Sequence, residues 1–362
     1  VVALSLVGCS LLPPAAPQPP SGIDLTKGAY AVIYTDSISR EAGVSTLGAD
    51  GTLVSSAKMA ALGLHARAQT PDRIILIGAR AADMAVVERD GSIHTAQIAY
   101  PDGTGATATT FIDDEHLATL INVGNTTEGY QNPIVIHDLS GRVLRSHPLQ
   151  GYFTSIIRVG DKLLATGQIS HPDSAEDGSR AVLLDPNSLE VQRTWDWPAN
   201  GGLDQCVALD RSAICLETEG FKDGARTHLA NHLVRLDPST GAKAEITTFT
   251  EDCITLLNQA GRIVVATAGA IHLLAPDLTR IERHLPLTSG KEAIETLTAG
   301  GAGLDVFIRD YDRTTTADGR ADIGHIVRLD PRTLQIVRQT PMQLPNQQLV
   351  GVHLIANEFF HA

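Results

Sequence analysis

The chain has 362 residues, a formal net charge of −13 and only 4% aromatic residues. The charge argues against a nucleic-acid partner, which demands a basic surface, and against a polybasic attachment to anionic lipid. The length exceeds what one ordinary hydrophobic core supports, so the chain must build several packed units.

The first stretch, Val1-Val2-Ala3-Leu4-Ser5-Leu6-Val7-Gly8-Cys9, is apolar and too short to span a bilayer. It reads as the end of a secretory signal. Its last residues, Leu6-Val7-Gly8-Cys9, resemble the lipobox of bacterial lipoproteins, whose cysteine is acylated and becomes the new N-terminus. That resemblance implies lipidation at Cys9, an extracytoplasmic location and attachment to the membrane through the lipid. Residues 10–28 are proline-rich, which favours an extended, semi-rigid spacer. Residues 29–362 then read as one domain.

Within that domain, β-branched runs alternate with turn residues. Segments 29–36, 44–49 and 53–58 predict strands that lack an inner neighbour. Segments 64–68, 73–78, 84–89 and 92–98 predict a compact unit of four strands. Further groups of four follow as far as residue 339, and 349–357 predicts a lone strand at the end. The clearest unit is Ile326-Val327-Arg328-Leu329-Asp330-Pro331-Arg332-Thr333-Leu334-Gln335-Ile336-Val337. There Asp330 can accept a hydrogen bond from the backbone two residues on, and Pro331 presets φ for the turn. Asp185-Pro186 and Asp237-Pro238 repeat it, and Ala275-Pro276 does so weakly. Asp50-Gly51, Asp90-Gly91 and Asp138-Leu139-Ser140-Gly141 supply three further turns. These anchors lie roughly 38 to 54 residues apart, the range of four-stranded propeller blades.

The repeat resembles the bacterial YVTN-type and quinoprotein-like β-propellers, whose outer turn is of the Leu-Asp-Pro-x-Thr-Gly type. Ile33-Tyr34-Thr35-Asp36 is the nearest approach to Tyr-Val-Thr-Asn. The likeness covers about residues 29–357. It implies an all-β fold: a seven-bladed β-propeller of four-stranded antiparallel blades. The terminal segments would share one blade, with 349–357 innermost, so that no sheet edge is left at the seam.

In such a ring the second-to-third strand loops and the blade-to-blade segments share one face. The long connections 124–133, 170–180, 220–231 and 311–323 fall there, and long loops on a rigid frame tend to carry function. Tyr130, His171, Asp173, Trp197, Phe221, Tyr311 and Arg313 are the candidate ligand-binding residues. Aligned inner strands also bring Asp204, Glu251, Asp252 and Glu292 towards the channel mouth. Carboxylates this close repel unless a cation or basic group intervenes. Asp204, Glu251 and Asp252 are thus candidate Ca²⁺ ligands, with neutralisation by Arg67 or Lys291, or hydrogen bonds to neighbouring backbone, as the alternatives. No other cofactor is expected.

Of the four cysteines, three follow Cys9. If Asp210-Arg211 is a two-residue turn, Cys206 and Cys215 lie opposite each other within disulfide reach. Cys206 with Cys253, or three free thiols, are the alternatives. The chain has no Gly-x-Ser-x-Gly elbow and no His-Glu-x-x-His pair. It has two tryptophans, Trp195 and Trp197, and no adjacent cysteine pair, which sets aside a quinoprotein dehydrogenase. The expected function is a binding or assembly module for a protein, peptide or glycan of the cell envelope. The alternative is a lactonase-like hydrolase or lyase using Asp204, Glu251, Glu292, His65 and Arg67.

Overall fold

A computed structural model describes residues 21–36, 38–101, 104–123, 125–126, 129–169, 178–198, 201–218, 230–315, 321–344 and 351–356. Among them the chain forms seven four-stranded antiparallel blades set in a ring. The innermost strands of blades one to seven are Leu64–Thr70, Gly105–Phe111, Tyr152–Val159, Leu203–Leu209, Cys253–Gln259, Glu292–Gly300 and Gly351–Ala356. Blades one to six then step outward through strands that come later in the chain. Second and third strands are buried on both faces between neighbouring blades, so they carry unbroken apolar runs such as Ile74-Ile75-Leu76-Ile77, all fully buried. Outer strands alternate between exposed and covered positions, as in Leu53–Met59.

Blade seven is built from both ends of the chain. Its order from the centre is Gly351–Ala356, Tyr30–Thr35, Ala42–Leu47 and Leu53–Met59. Tyr30 opposes Ala356 and Thr35 opposes Gly351, with unbroken register between them. The fold reaches further upstream than the spacer expectation allowed. Ser21–Gly22 add a short fifth strand to the outer edge of blade one. Ile23 and Leu25 are buried in the core shared with blade seven. Residues 21–28 therefore strap the first blade to the last.

Every third-to-fourth strand turn is held by one aspartate. The Oδ1 of Asp50, Asp90, Asp138, Asp185, Asp237, Asp277 and Asp330 accepts from the backbone N–H two residues on, at 2.8–3.1 Å. In blade five the acceptor is Asp277, because Ala275 stands where the other Pro-containing copies have aspartate. The turn also needs one residue in the left-handed region. Gly51, Gly91, Gly141 and Gly241 fill it in four blades. Leu189, Leu278 and Leu334 fill it in the others, with φ of 60°, 62° and 56°. A left-handed leucine costs about 1–2 kcal/mol, and burying its side chain returns about 1.5–3 kcal/mol. All three are buried, so the trade is favourable. Gly241 cannot make it: a Cβ there would lie 2.0 Å from the Trp195 ring of the preceding blade.

Deleting residues 347–362 removes the inner strand of blade seven and opens the ring. The expected result is loss of the single cooperative thermal transition, measured by calorimetry; an unchanged melting curve would refute closure through this strand.

Candidate functional site

The inner strands place alternate residues in the central channel. On Leu64–Thr70, Leu64, Ala66 and Ala68 are buried against neighbouring strands, while His65, Arg67 and Gln69 share the other face. The Arg67 guanidinium donates to the Leu354 carbonyl of blade seven at 3.1 Å and to Thr298 of blade six at 3.3 Å. It also donates to Gln69 at 2.6 Å. Such reach, from blade one past blade seven to blade six, puts the side chain across the channel wall. His353 bonds through Nε2 to the Leu64 carbonyl at 3.0 Å. Burial pushes its imidazole down to about 4, and the nearby Arg67 and His65 act in the same direction.

On the other side, burial raises the Asp204 carboxyl, and Asp252 adds to the effect; a Thr154 hydrogen bond and His65 oppose it. The remaining acids are held by backbone near their own positions. Asp252 accepts from the Ala230 N–H at 2.8 Å, Glu251 from Gly269 at 3.3 Å and Glu292 from Ser289 at 3.4 Å. Neither expected base neutralises them, since Lys291 pairs with Asp312 at 2.6 Å and Arg67 bonds to uncharged groups. Among the described residues, no three His, Cys, Asp or Glu side chains gather closely enough to hold a metal ion.

Other members of the ring are stitched across blades by polar side chains reaching backbone carbonyls. Thr154 reaches Leu203, Gln205 reaches Ile254, Asn258 reaches Ala208 and Thr296 reaches Val352. Cys206 and Cys215 face each other on paired strands, with sulfurs 2.04 Å apart. Cys253 is free and buried, its thiol pushed up to about 12 by burial and then by Asp252 and Glu251.

Cys9, His171, Asp173 and Phe221 lie outside the described residues. The four remaining loop candidates sit on strands instead. Trp197 is in Val191–Pro198, not in a blade-to-blade segment, and Lys243 of blade four stands 5.1 Å from its ring. Tyr311 and Arg313 belong to Gly303–Thr315, which continues the sheet where a loop was expected. Thr314 and Thr315 pair with Asp322 and Ala321, so only a shorter connection remains. Tyr311 is 60% exposed. Tyr130 sits in a two-residue strand and packs edge-on against Tyr152, with centroids 5.0 Å apart.

Sequence reasoning passed over several charged contacts. Glu295 holds Arg309 through two hydrogen bonds. Buried Glu217 meets both Lys243 and Ser179. His353 and Thr298 join Arg67. Their only signal was polar residues in strands otherwise read as core. An open cleft of about 480 Å³, lined by Arg73, Asp114, Glu115, Asp138, Leu139 and Ser140, lies among the tight turns of the opposite face, away from the channel.

No protein-family model and no curated protein sequence matches the chain. Solved structures do resemble it. A candidate 6-phosphogluconolactonase from Bacteroides uniformis superposes with a TM-score of 0.57 at 11% identity, covering 90% of this chain and 99% of that one. Apocarotenoid oxygenase from Synechocystis, as its Glu150Asp variant, gives 0.56 at 9% identity over 94% and 95%. Apo AztD from Citrobacter koseri gives 0.51 at 9% identity over 90% and 98%. At these identities the likeness establishes the propeller fold.

The depressed His353 makes stability pH-dependent. An imidazole whose folded pKa lies below its unfolded value contributes fully above the unfolded pKa near 6.5 and loses that contribution as pH falls towards about 4. His353→Gln should flatten the urea-melt stability profile between those limits by at most about 3 kcal/mol. An unaltered profile would contradict it.

Proposed function

We propose that the protein is an extracytoplasmic, lipid-anchored binding module that holds a protein, peptide or glycan at the loop-bearing face of its propeller. The observation that carries this is apolar surface kept in water on a braced backbone. Ile38, in the second-to-third strand connection of blade seven, is 83% exposed. Its backbone N–H bonds to Asp36 at 2.7 Å, and Arg40 beside it pairs with buried Asp83 of blade one at 3.2 Å. Tyr311 projects from the same face of blade six. Large apolar groups fixed in this way suit a partner. Aliphatic Ile38 favours a protein or peptide, because sugars stack on rings. The anchor rests on Leu6-Val7-Gly8-Cys9.

Photo-cross-linking residues at positions 38 and 311 should give an adduct of one discrete mass in cell envelopes, with none from Leu144 or Ile336 on the outer rim. Cys9→Ala should move the adduct to the soluble fraction. Equal labelling from rim and face would reject the interface, and membrane retention of the Cys9 variant would reject the anchor.

A second reading draws on Asp204. A carboxyl raised by burial, with His65 nearby, could serve as a general acid, and the likeness to a candidate lactonase directs the choice of substrate. Asp204→Asn should then lower sugar-lactone opening about 10²-fold or more. Equal rates in the two proteins would dismiss catalysis by this group.

A further inference from the structure

We infer that the central channel contains a binding site for a small oxyanion, a carboxylate or phosphate group, centred on Arg67 and flanked by His353, Gln69 and Thr298. The inference does not rest on the loop-face reading, because it concerns the interior of the ring.

The argument starts from charge. A guanidinium does not lose its proton in a protein, so Arg67 brings a permanent positive charge into the channel. Buried charges are normally paired, because an uncompensated one costs several kcal/mol. Three other arginines that reach between strands or blades do meet a carboxylate: Arg309 meets Glu295, Arg40 meets Asp83 and Arg180 meets Asp196. Arg67 does not. Its three hydrogen bonds go to a carbonyl, an amide oxygen and a hydroxyl, all uncharged. Burial alone lowers its pKa, to about 10, and no carboxylate counteracts it. Three of its five N–H donors are spent, and two remain.

The surroundings fit an anion. His353 spends its Nε2 hydrogen on Leu64, which fixes the ring beside the guanidinium. Bound negative charge would favour protonation at Nδ1 and add a donor. Part of the Arg67 surface stays accessible from the channel, and His65, two residues nearer the loop-bearing face, is exposed. On a chain of net charge −13 this is an isolated positive focus in a low-dielectric setting, where the attraction for an anion is strongest. Carboxylate and phosphate both match the planar donor fork of arginine.

The test uses the folded protein at constant ionic strength. Inorganic phosphate and acetate are titrated separately against a chloride control, with melting temperature as readout. The expected result is a saturable rise with phosphate, acetate or both, beyond chloride. Whichever arm responds identifies the chemistry. Arg67→Met should weaken that response at least tenfold, while the exposed control Arg142→Ala keeps it. If Arg67→Met does not fold, the histidine NMR resonances of the wild-type protein decide: a saturable shift of His353 on adding the anion supports the site. No saturable response to either oxyanion, or one that survives in a folded Arg67→Met protein, overturns it.

Discussion

The antiparallel pairing of Tyr30–Thr35 with Gly351–Ala356 is the constraint on which the ring depends. Each blade can bury its two faces only if it has a neighbour on each side. An open row would leave two apolar sheet faces in water, a form of instability general to stacked repeats. Joining the two ends of the chain in one sheet removes both at once. The cost is entropic: two segments more than 300 residues apart must meet, although loop-closure entropy grows only slowly with length. Residues 21–28 reinforce the join from outside, by burying Ile23 and Leu25 against blades one and seven.

Once the ring is closed, the two faces and the centre become different environments. The tight-turn face is set by the seven aspartates, each spending its carboxylate on its own turn. Those hydrogen bonds hold the exposed carboxyls below the usual carboxylate range, with Asp138 near 2. The opposite face takes the longer connections. In the centre, neighbouring inner strands belong to separate sheets and do not pair backbone to backbone. Threonine, glutamine and asparagine therefore bridge from one blade to the carbonyls of the next. Arg67 belongs to this polar lining by position and departs from it by charge.

Blade number, order and terminal closure were all legible in the sequence, because they follow from local chemistry. An Asx turn with proline or glycine is a short-range signal, and seven of them at blade spacing admit few architectures. The opposition of Cys206 and Cys215 was legible for the same reason, since a two-residue turn sets register. The site was much less so. Asp204, Glu251, Asp252 and Glu292 align by inner-strand position, but alignment does not say which hydrogen-bond donor each carboxylate will take. Arg67 could be assigned to the channel, whereas its contact with Thr298 spans 231 residues and depends on the curvature of the whole ring. Tyr311 and Arg313 read as loop because polar residues surround them, yet the hairpin of blade six simply runs longer.

The seams of blade seven explain why polar groups persist inside so apolar a stack. Hydrophobic burial is non-directional, and seven similar blades offer many nearly equivalent ways to pack. On one side of blade seven, Arg40 pairs with Asp83 of blade one, whose carboxylate also takes the Leu62 N–H at 3.1 Å. On the other, the Tyr30 hydroxyl donates to Asp305 of blade six at 3.0 Å and accepts from Arg338 at 3.0 Å. Neither contact gains much free energy over an apolar pair of equal volume, because desolvation offsets most of the attraction. Each, however, becomes costly if the wrong blade is opposite, since a buried charge is then left without its partner. Apolar area supplies the stability of the ring, and these few charged contacts stand at both seams of the blade that closes it.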